Sequence, residues 1–234
     1  MNPAQLLTIH GIGILLDPAE GVFMPSANGL FYANSITINP GESVIDIGTG
    51  SGVLAILAAQ SGASSVTATD TDSRSVEAAR HNAFLNQVEV DFYRESLFGN
   101  ISTRFDVIMA NLPNEIVAPA ELERLDAADA KVFEGGNEGN ESILALLAAA
   151  KDHMYDHSRL YLAIHTLTNY HQTLSTALQD YRLRLLSLLP LPLKPFVLEN
   201  LDFYLPLNQT GTISIFQQCG MWHSYGYVYE AMLQ

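Results

Sequence analysis

Three groups of residues have types and spacings that could do chemistry. The first is Asp46-Ile47-Gly48-Thr49-Gly50-Ser51-Gly52, directly after the β-branched pair Val44-Ile45. Glycines at such a junction let the backbone turn tightly and lie against a ligand with no Cβ in the way. A dinucleotide fingerprint wants Gly-x-Gly-x-x-Gly, but Val53 stands where its third glycine belongs and Gly52 comes one residue early. The second is Asp70, 18 residues beyond Gly52. At that spacing a carboxylate ending the next strand can accept hydrogen bonds from both hydroxyls of a ribose. Asp72 competes for the role but suits a helix cap better. The third is Asn111-Leu112-Pro113-Asn114, after the apolar run ending at Ala110. Composition alone reads this loop equally well as an ordinary turn, since Asn and Pro are common turn residues.

The elements between these groups alternate strand and helix. Residues 6–16 read as strand–turn–strand with Gly11 and Gly13 near the bend, and a helix-like segment runs to about Ser35. The glycine-loop strand is followed by a helix from Val53, and Val66–Thr69 forms a second strand ended by Asp70. A helix then covers Ser73 to about Leu85, with Asp72 or Ser73 as its cap. Val88–Tyr93 and Phe105–Ala110 are the third and fourth strands. The loop Glu134–Asn140 precedes a helix from Ser142 to about Asp152, and Arg159–Ile164 is a fifth strand with a helix through Thr173 to Leu178 after it. Such alternation implies parallel βαβ units and an α/β, doubly wound, mostly parallel sheet. The last fifty residues change character: Pro190, Pro192 and Pro195 are expected to break regular structure, and aromatic residues then cluster.

Asp-x-Gly-x-Gly-x-Gly resembles the first motif of class I S-adenosylmethionine (SAM) methyltransferases. Asn111–Asn114 resembles the Asn-Pro-Pro-Tyr and Asn-Leu-Pro-Tyr motifs of members that act on planar nitrogen, such as adenine N6, cytosine N4 or a glutamine amide. Gly21-Val22-Phe23-Met24-Pro25-Ser26 is similar to the segment that folds over the cofactor in small-domain and release-factor glutamine methyltransferases. Gly135–Gly139 followed by Ser142-Ile143-Leu144 is similar to a glycine-rich loop and helix of the latter group. The resemblance covers roughly residues 20 to 165 and implies a seven-stranded sheet with an N-terminal β-hairpin lid. It divides the chain into a lid and helix over residues 1–40 and a methyltransferase domain over residues 41–234, with an aromatic cap from about residue 185.

The same resemblance implies SAM as cofactor. Gly48, Thr49, Gly50 and Gly52 would pass beneath its methionine part, with Asp46 near the amino group. Asp70, with Thr71 beside it, would meet the ribose. Glu95, Ser96 and Leu97, followed by Phe98, would lie by the adenine, and Phe23 and Pro25 would cover the ligand. Asn111, Pro113 and Asn114 would form the catalytic loop: the Asn111 side-chain oxygen and a rigid backbone carbonyl accept from the target nitrogen, so that positioning supplies the rate. Ser96 departs from the pattern, which has Asp there. Asn114 departs too, because nucleic-acid enzymes carry an aromatic ring at that place to stack a base, worth about 1–3 kcal/mol.

Composition narrows the acceptor. Eleven Lys and Arg against 25 Asp and Glu give a net charge of −14, a poor match to phosphate backbones. The expected acceptor is a nitrogen of a small molecule or a protein side chain. An RNA or DNA base of the adenine N6 type is one alternative, and a non-catalytic SAM-fold scaffold is another. Cys219 is the one cysteine, which fits a reducing, cytoplasmic setting. No signal peptide is read in Met1–Gln5 and no apolar run long enough for a bilayer. The seven histidines suggest no metal site. His153 and His157, four apart, read as a surface pair on one helix face, and His165 as a structural residue at the ligand end of the sheet. The C-terminal aromatics read first as packing, with a cation-binding cage as the lesser alternative.

Overall fold

The computed structural model describes residues 4–124 and 135–234. Met1–Pro3 and Glu134, which figure in the readings above, lie outside the described residues. Strands β1 (Gln5–Ile9) and β2 (Ile12–Leu16) form a separate antiparallel hairpin. Its two-residue turn places both His10 and Gly11 at positive φ (52° and 79°), the geometry whose twist matches a hairpin.

The main sheet contains β3 (Ser43–Ile47), β4 (Ser65–Asp70), β5 (Asp91–Arg94), β6 (Phe105–Ala110), β7 (Met154–His165), β8 (Tyr181–Pro192), β9 (Ile215–Gln218) and β10 (Met221–Leu233). Their order is β5-β4-β3-β6-β7-β10-β8, with β9 paired to β10. The strands from β3 to β7 pair in parallel, and β10 runs antiparallel to β7 and β8. This is the expected doubly wound sheet of seven strands, with β9 added as an eighth.

Eight α-helices complete the described residues: α1 (Ala27–Ala33), α2 (Val53–Gln60), α3 (Ser73–Leu85), α4 (Pro119–Leu122), α5 (Glu141–Ala150), α6 (Tyr170–Asp180), α7 (Pro195–Glu199) and α8 (Leu201–Thr210). Alternate residues of the inner strands face opposite layers, as the period of a strand requires. Val44, Val107 and Met109 join the core with α2, α3 and the hairpin, whereas Ile45, Ile108 and Ala110 join the core with α5 and α6. A third, smaller core unites Leu193, Val197, Tyr204 and Ile213 with Ile116 and Leu167.

Several expectations are corrected. Pro190 and Pro192 do not break the chain but belong to β8. That strand lies at the sheet's edge, where a residue without an N–H is tolerated. The third strand is shorter than expected, because Val88 and Val90 turn into the core before the ladder begins at Asp91. The two histidines share no helix: His153 ends a 3-10 turn and stacks on Phe98 at 3.9 Å, while His157 lies in β7, 2.8 Å from Asp106. The hairpin packs its buried Ile9, Ile14 and Leu16 into the helical core, and the backbone N–H groups of Leu15 and Asp17 donate to Asn86 and Asn82 of α3. It is a brace; residues that follow it cover the ligand side.

Candidate active site

Strand order reverses between β3 and β6, so the loops leaving their carboxyl ends diverge and open a crevice there. A cavity of about 1210 Å³ occupies it, larger than the roughly 300–1,000 Å³ of a typical small-molecule pocket. Gly48, Gly50, Asp70 and Thr71 line it from β3 and β4; Glu95, Ser96 and Leu97 from the loop after β5; Asn111, Pro113 and Asn114 from the loop after β6. Phe23 faces them from the segment before α1. Pro25, Asp46, Thr49 and Gly52, also expected at the ligand, are not among the lining residues.

The glycine loop is held by its neighbours' carbonyl and carboxylate groups. The N–H groups of Gly48 and Thr49 donate to the Thr69 carbonyl (2.8 and 3.0 Å), and the N–H of Gly50 donates to Asp70 Oδ2 (2.9 Å). Asp70 Oδ1 accepts from the Asp72 N–H at 2.9 Å, so one carboxylate clasps two loops. Burial raises the Asp70 pKa against these hydrogen bonds. Gly48 has φ +72°, and a Cβ there would stand 2.7 Å from Leu112 Cδ2. Gly52 serves a different end. A Cβ on it would meet the Cα and Cβ of Ala79 at 3.0 Å, so the third glycine lets α3 close on α2.

Asp46 is fully buried beneath the loop, with Thr49 Oγ1 donating to its Oδ2 at 2.7 Å and Oδ1 left without a partner. Burial pushes its pKa up to about 7 despite the Thr49 hydrogen bond. After β5, Leu97 has φ +51°, and its carbonyl accepts from Thr69 Oγ1 at 2.8 Å. That left-handed residue presents Leu97 to the cavity and sends Phe98 inward, where it is 3% exposed. Only Leu97 of the expected pair is left to pack on a ligand ring.

The loop after β6 is a braced structure. Asn114 Nδ2 donates to the Leu112 carbonyl (2.7 Å), and Asn114 Oδ1 accepts from the His165 N–H (2.9 Å). With both amide ends engaged by backbone, Asn114 is a strut that ties the loop to the end of β7. Asn111 is the loop's other cavity-lining amide; its Nδ2 would lie 3.4 Å from a Cβ on Gly29 in α1. Helix α1 is itself pinned by Tyr32, whose buried hydroxyl donates to the Tyr161 carbonyl and accepts from the Ala110 N–H, each at 3.0 Å.

Sequence reasoning missed the far wall. Glu115, Leu193, Lys194 and Ser224 line the cavity together with His165. Lys194 Nζ lies 2.6 Å from Glu115 Oε1, and His165 Nε2 lies 3.2 Å from Ser224 Oγ. None of these belongs to a local motif; β7, β10 and the end of β8 bring them together. Gly226 contributes by lacking a side chain, since a Cβ there would stand 2.9 Å from Leu191 and 3.0 Å from Asn28. The C-terminal aromatics do not form a cage here: Phe216, Tyr225, Tyr227 and Tyr229 stack along β9 and β10 and are absent from the cavity lining.

A sheet in this order, with a glycine loop, a strand-ending carboxylate and an amide loop around one crevice, defines a class I SAM-dependent methyltransferase. Comparison with known proteins agrees. The family profile for ribosomal protein L11 methyltransferase (PrmA) matches residues 30–140. A Methanocaldococcus jannaschii protein, provisionally named a protein N5-glutamine methyltransferase, is 31% identical over 137 residues, 58% of this chain and 68% of that protein. Ribosomal protein L11 methyltransferase of Caldicellulosiruptor saccharolyticus is 48% identical over 80 residues, which span 34% of this chain and 26% of the relative. Among solved structures, ribosomal protein L11 methylase of Lactobacillus delbrueckii subsp. bulgaricus superposes with TM-score 0.53 at 21% identity, covering 86% of this chain and 76% of the other. The 16S rRNA N2 G1207 methyltransferase of T. thermophilus gives TM-score 0.62 at 16% identity over 97% of this chain and 49% of that one; at such identity the likeness is one of fold.

The chain belongs to the class I SAM-dependent methyltransferases, and its cofactor is SAM. The residues fit that group. Gly48 and Gly50 turn bare backbone to the cavity, and Asp70 keeps acceptor capacity beyond its two backbone donors, since a carboxylate has about four acceptor sites. When bound, SAM supplies an electrophilic methyl group on a sulfonium.

Proposed function

We propose that this enzyme methylates a nitrogen atom of a protein side chain or of a small molecule. The observation that carries this reading is the placement of Asn111 and the rigid Leu112-Pro113 carbonyls in one cavity with Gly48, Gly50 and Asp70. The Asn111 side-chain oxygen accepts an N–H of the target, and a loop carbonyl accepts a second, so the nitrogen's remaining lone pair is aimed along one line. The Asn114 strut fixes the Leu112 carbonyl and the loop in that position. Glu115 Oε1 is paired with Lys194, and the amide geometry asks for no strong base. Asp70 holds the ribose end, and Leu97 packs against the adenine. The names of the relatives support a protein acceptor, and the charge of −14 supports a neutral or cationic one.

The test uses purified protein and SAM tritiated in the methyl group. Three acceptors are offered separately: a peptide with a single glutamine, a peptide with a single lysine, and an adenine-containing oligonucleotide. Label recovered on nitrogen of a peptide, and lost in Asn111→Ala, is the expected result. Label found only in the oligonucleotide, or only on oxygen or carbon, overturns the reading.

A further inference from the structure

His165 and Ser224 form a buried pair that the cofactor half of the site does not use. They are 5% and 1% exposed, and both line the cavity. The imidazole's two nitrogens keep different company. Nδ1 accepts the Leu167 N–H at 3.4 Å, and an accepting nitrogen carries no proton, so in the neutral ring the proton sits on Nε2. Burial lowers the His165 pKa, opposed by Glu115 and assisted by Lys194, which favours the neutral ring. Nε2–H therefore donates to Ser224 Oγ, 3.2 Å away. Among the described residues this hydroxyl has no other hydrogen-bond partner, so its own hydrogen remains to be placed. A buried donor left unpaired costs about 1–3 kcal/mol, which a ligand atom of the right kind would recover.

We propose that Ser224, oriented by His165, is a specificity-determining donor that holds an oxygen atom of the methyl acceptor. Two groups then divide the acceptor between them. Asn111 takes its nitrogen, and Ser224 takes a carbonyl, carboxylate or hydroxyl oxygen on the same molecule. His165 is a positioning residue: it occupies one of the two lone pairs of the serine oxygen inside the protein and turns the O–H toward the ligand. An acceptor with no hydrogen-bond-accepting oxygen would leave the Ser224 donor unmet and bind less tightly. The inference rests on the preceding reading only in taking this cavity to be where the acceptor sits.

The test uses the full chain loaded with S-adenosylhomocysteine and propionamide as probe. Long-range ¹⁵N NMR of the imidazole should show Nδ1 unprotonated and Nε2 protonated, and propionamide should shift the His165 resonances. Ser224→Ala should weaken propionamide binding by at least about fivefold, the lower end of one unmade hydrogen bond, with S-adenosylhomocysteine affinity unchanged. Ser224→Thr should retain the binding, and His165→Gln, which keeps a donor at the ε position, should retain most of it. A protonated Nδ1, no propionamide response in the wild type, or equal binding by Ser224→Ala overturns the proposal. If Ser224→Ala fails to fold, the tautomer and the Ser224→Thr and His165→Gln titrations decide it. Failure to bind S-adenosylhomocysteine at all would instead strike the cofactor assignment, and the proposal with it.

Discussion

Asp70→Asn separates a ligand-holding carboxylate from a mere clasp between loops. The substitution is isosteric. It keeps one acceptor oxygen but turns the other into an NH₂ that must face the N–H of Gly50 or of Asp72, both now at 2.9 Å from an acceptor. One charge-assisted hydrogen bond is lost, worth about 1.5–3 kcal/mol. Burial raises the Asp70 pKa, so removing the charge returns part of its desolvation cost, and the stability loss should fall near the low end of that range. Binding should suffer separately, because one of two acceptors for the ribose hydroxyls is gone: about 1.5–3 kcal/mol, or roughly 10- to 150-fold in Kd. Calorimetric titration with SAM and a urea melt read the two effects independently. Asp72→Ala is the control, since it removes the cap that Asp72 gives the Arg74 N–H, about 1 kcal/mol of stability, and should leave the SAM Kd nearly unchanged. If Asp70→Asn loses stability yet binds SAM within about twofold of wild type, far less than one hydrogen bond is worth, Asp70 is a clasp only and the ribose assignment is wrong.

Three further perturbations follow from the same geometry. Asp46 has its pKa raised by burial to about 7, so between about pH 4 and pH 7 the folded state keeps a proton that the unfolded chain has released, and stability falls as pH rises through that window. Asp46→Asn should therefore melt above the wild type at pH 8 and converge with it near pH 4; a pH-independent difference would count against a buried, strained carboxylate. Gly52→Ala places a Cβ 3.0 Å from Ala79 at φ +85°, and should cost roughly 2–4 kcal/mol from left-handed strain and overpacking, seen as a lower urea midpoint with SAM affinity of the folded fraction little changed. Tyr32→Phe leaves the Ala110 N–H and the Tyr161 carbonyl without their shared hydroxyl, about 1–3 kcal/mol for each buried group; a loss too small to measure by denaturation would show that α1 is held by packing alone.

The inner sheet was legible because buried parallel strands read as apolar runs: Val107–Ala110 is one, and Val44–Ile47 is another broken only by Asp46. Asp70 and Asn111 were legible for a related reason: residues that end inner strands can only emerge at one edge of the sheet. Glycine spacing located the loop but did not divide its labour. Gly48 and Gly52 look alike in sequence, yet one bares backbone to the cavity and the other admits α3, a difference that depends on where Ala79 lies. Sequence leaves Leu97 and Phe98 as equal candidates to face the ligand, because the choice depends on a single positive φ at Leu97. Prolines were over-read as breakers because the edge position of β8 is a property of strand order, which local sequence does not encode. Lys194 and Ser224 left no signal at all. Each gains its place from antiparallel pairing of β10 with β7 and β8, contacts made across more than thirty residues of chain.

These two kinds of legibility map onto two halves of the reaction. In the reading proposed above, the loops after β3, β4 and β5 would address a cofactor common to the whole class largely through bare glycine backbone, held in shape by the Thr69 carbonyl and the Asp70 carboxylate. The wall opposite is built from side chains, namely Glu115 with Lys194 and His165 with Ser224. The match to the L11 methyltransferase family profile ends at residue 140, before His165, Lys194 and Ser224. The part of the chain that carries the family likeness is thus the part proposed to hold SAM, and most of the far wall lies beyond it. Binding to a particular acceptor is set by the few polar groups a pocket presents. A relative's acceptor therefore transfers to this enzyme only as far as the β7–β10 wall is shared, and exchanging Lys194 and Ser224 should redirect acceptor choice while leaving SAM binding in place.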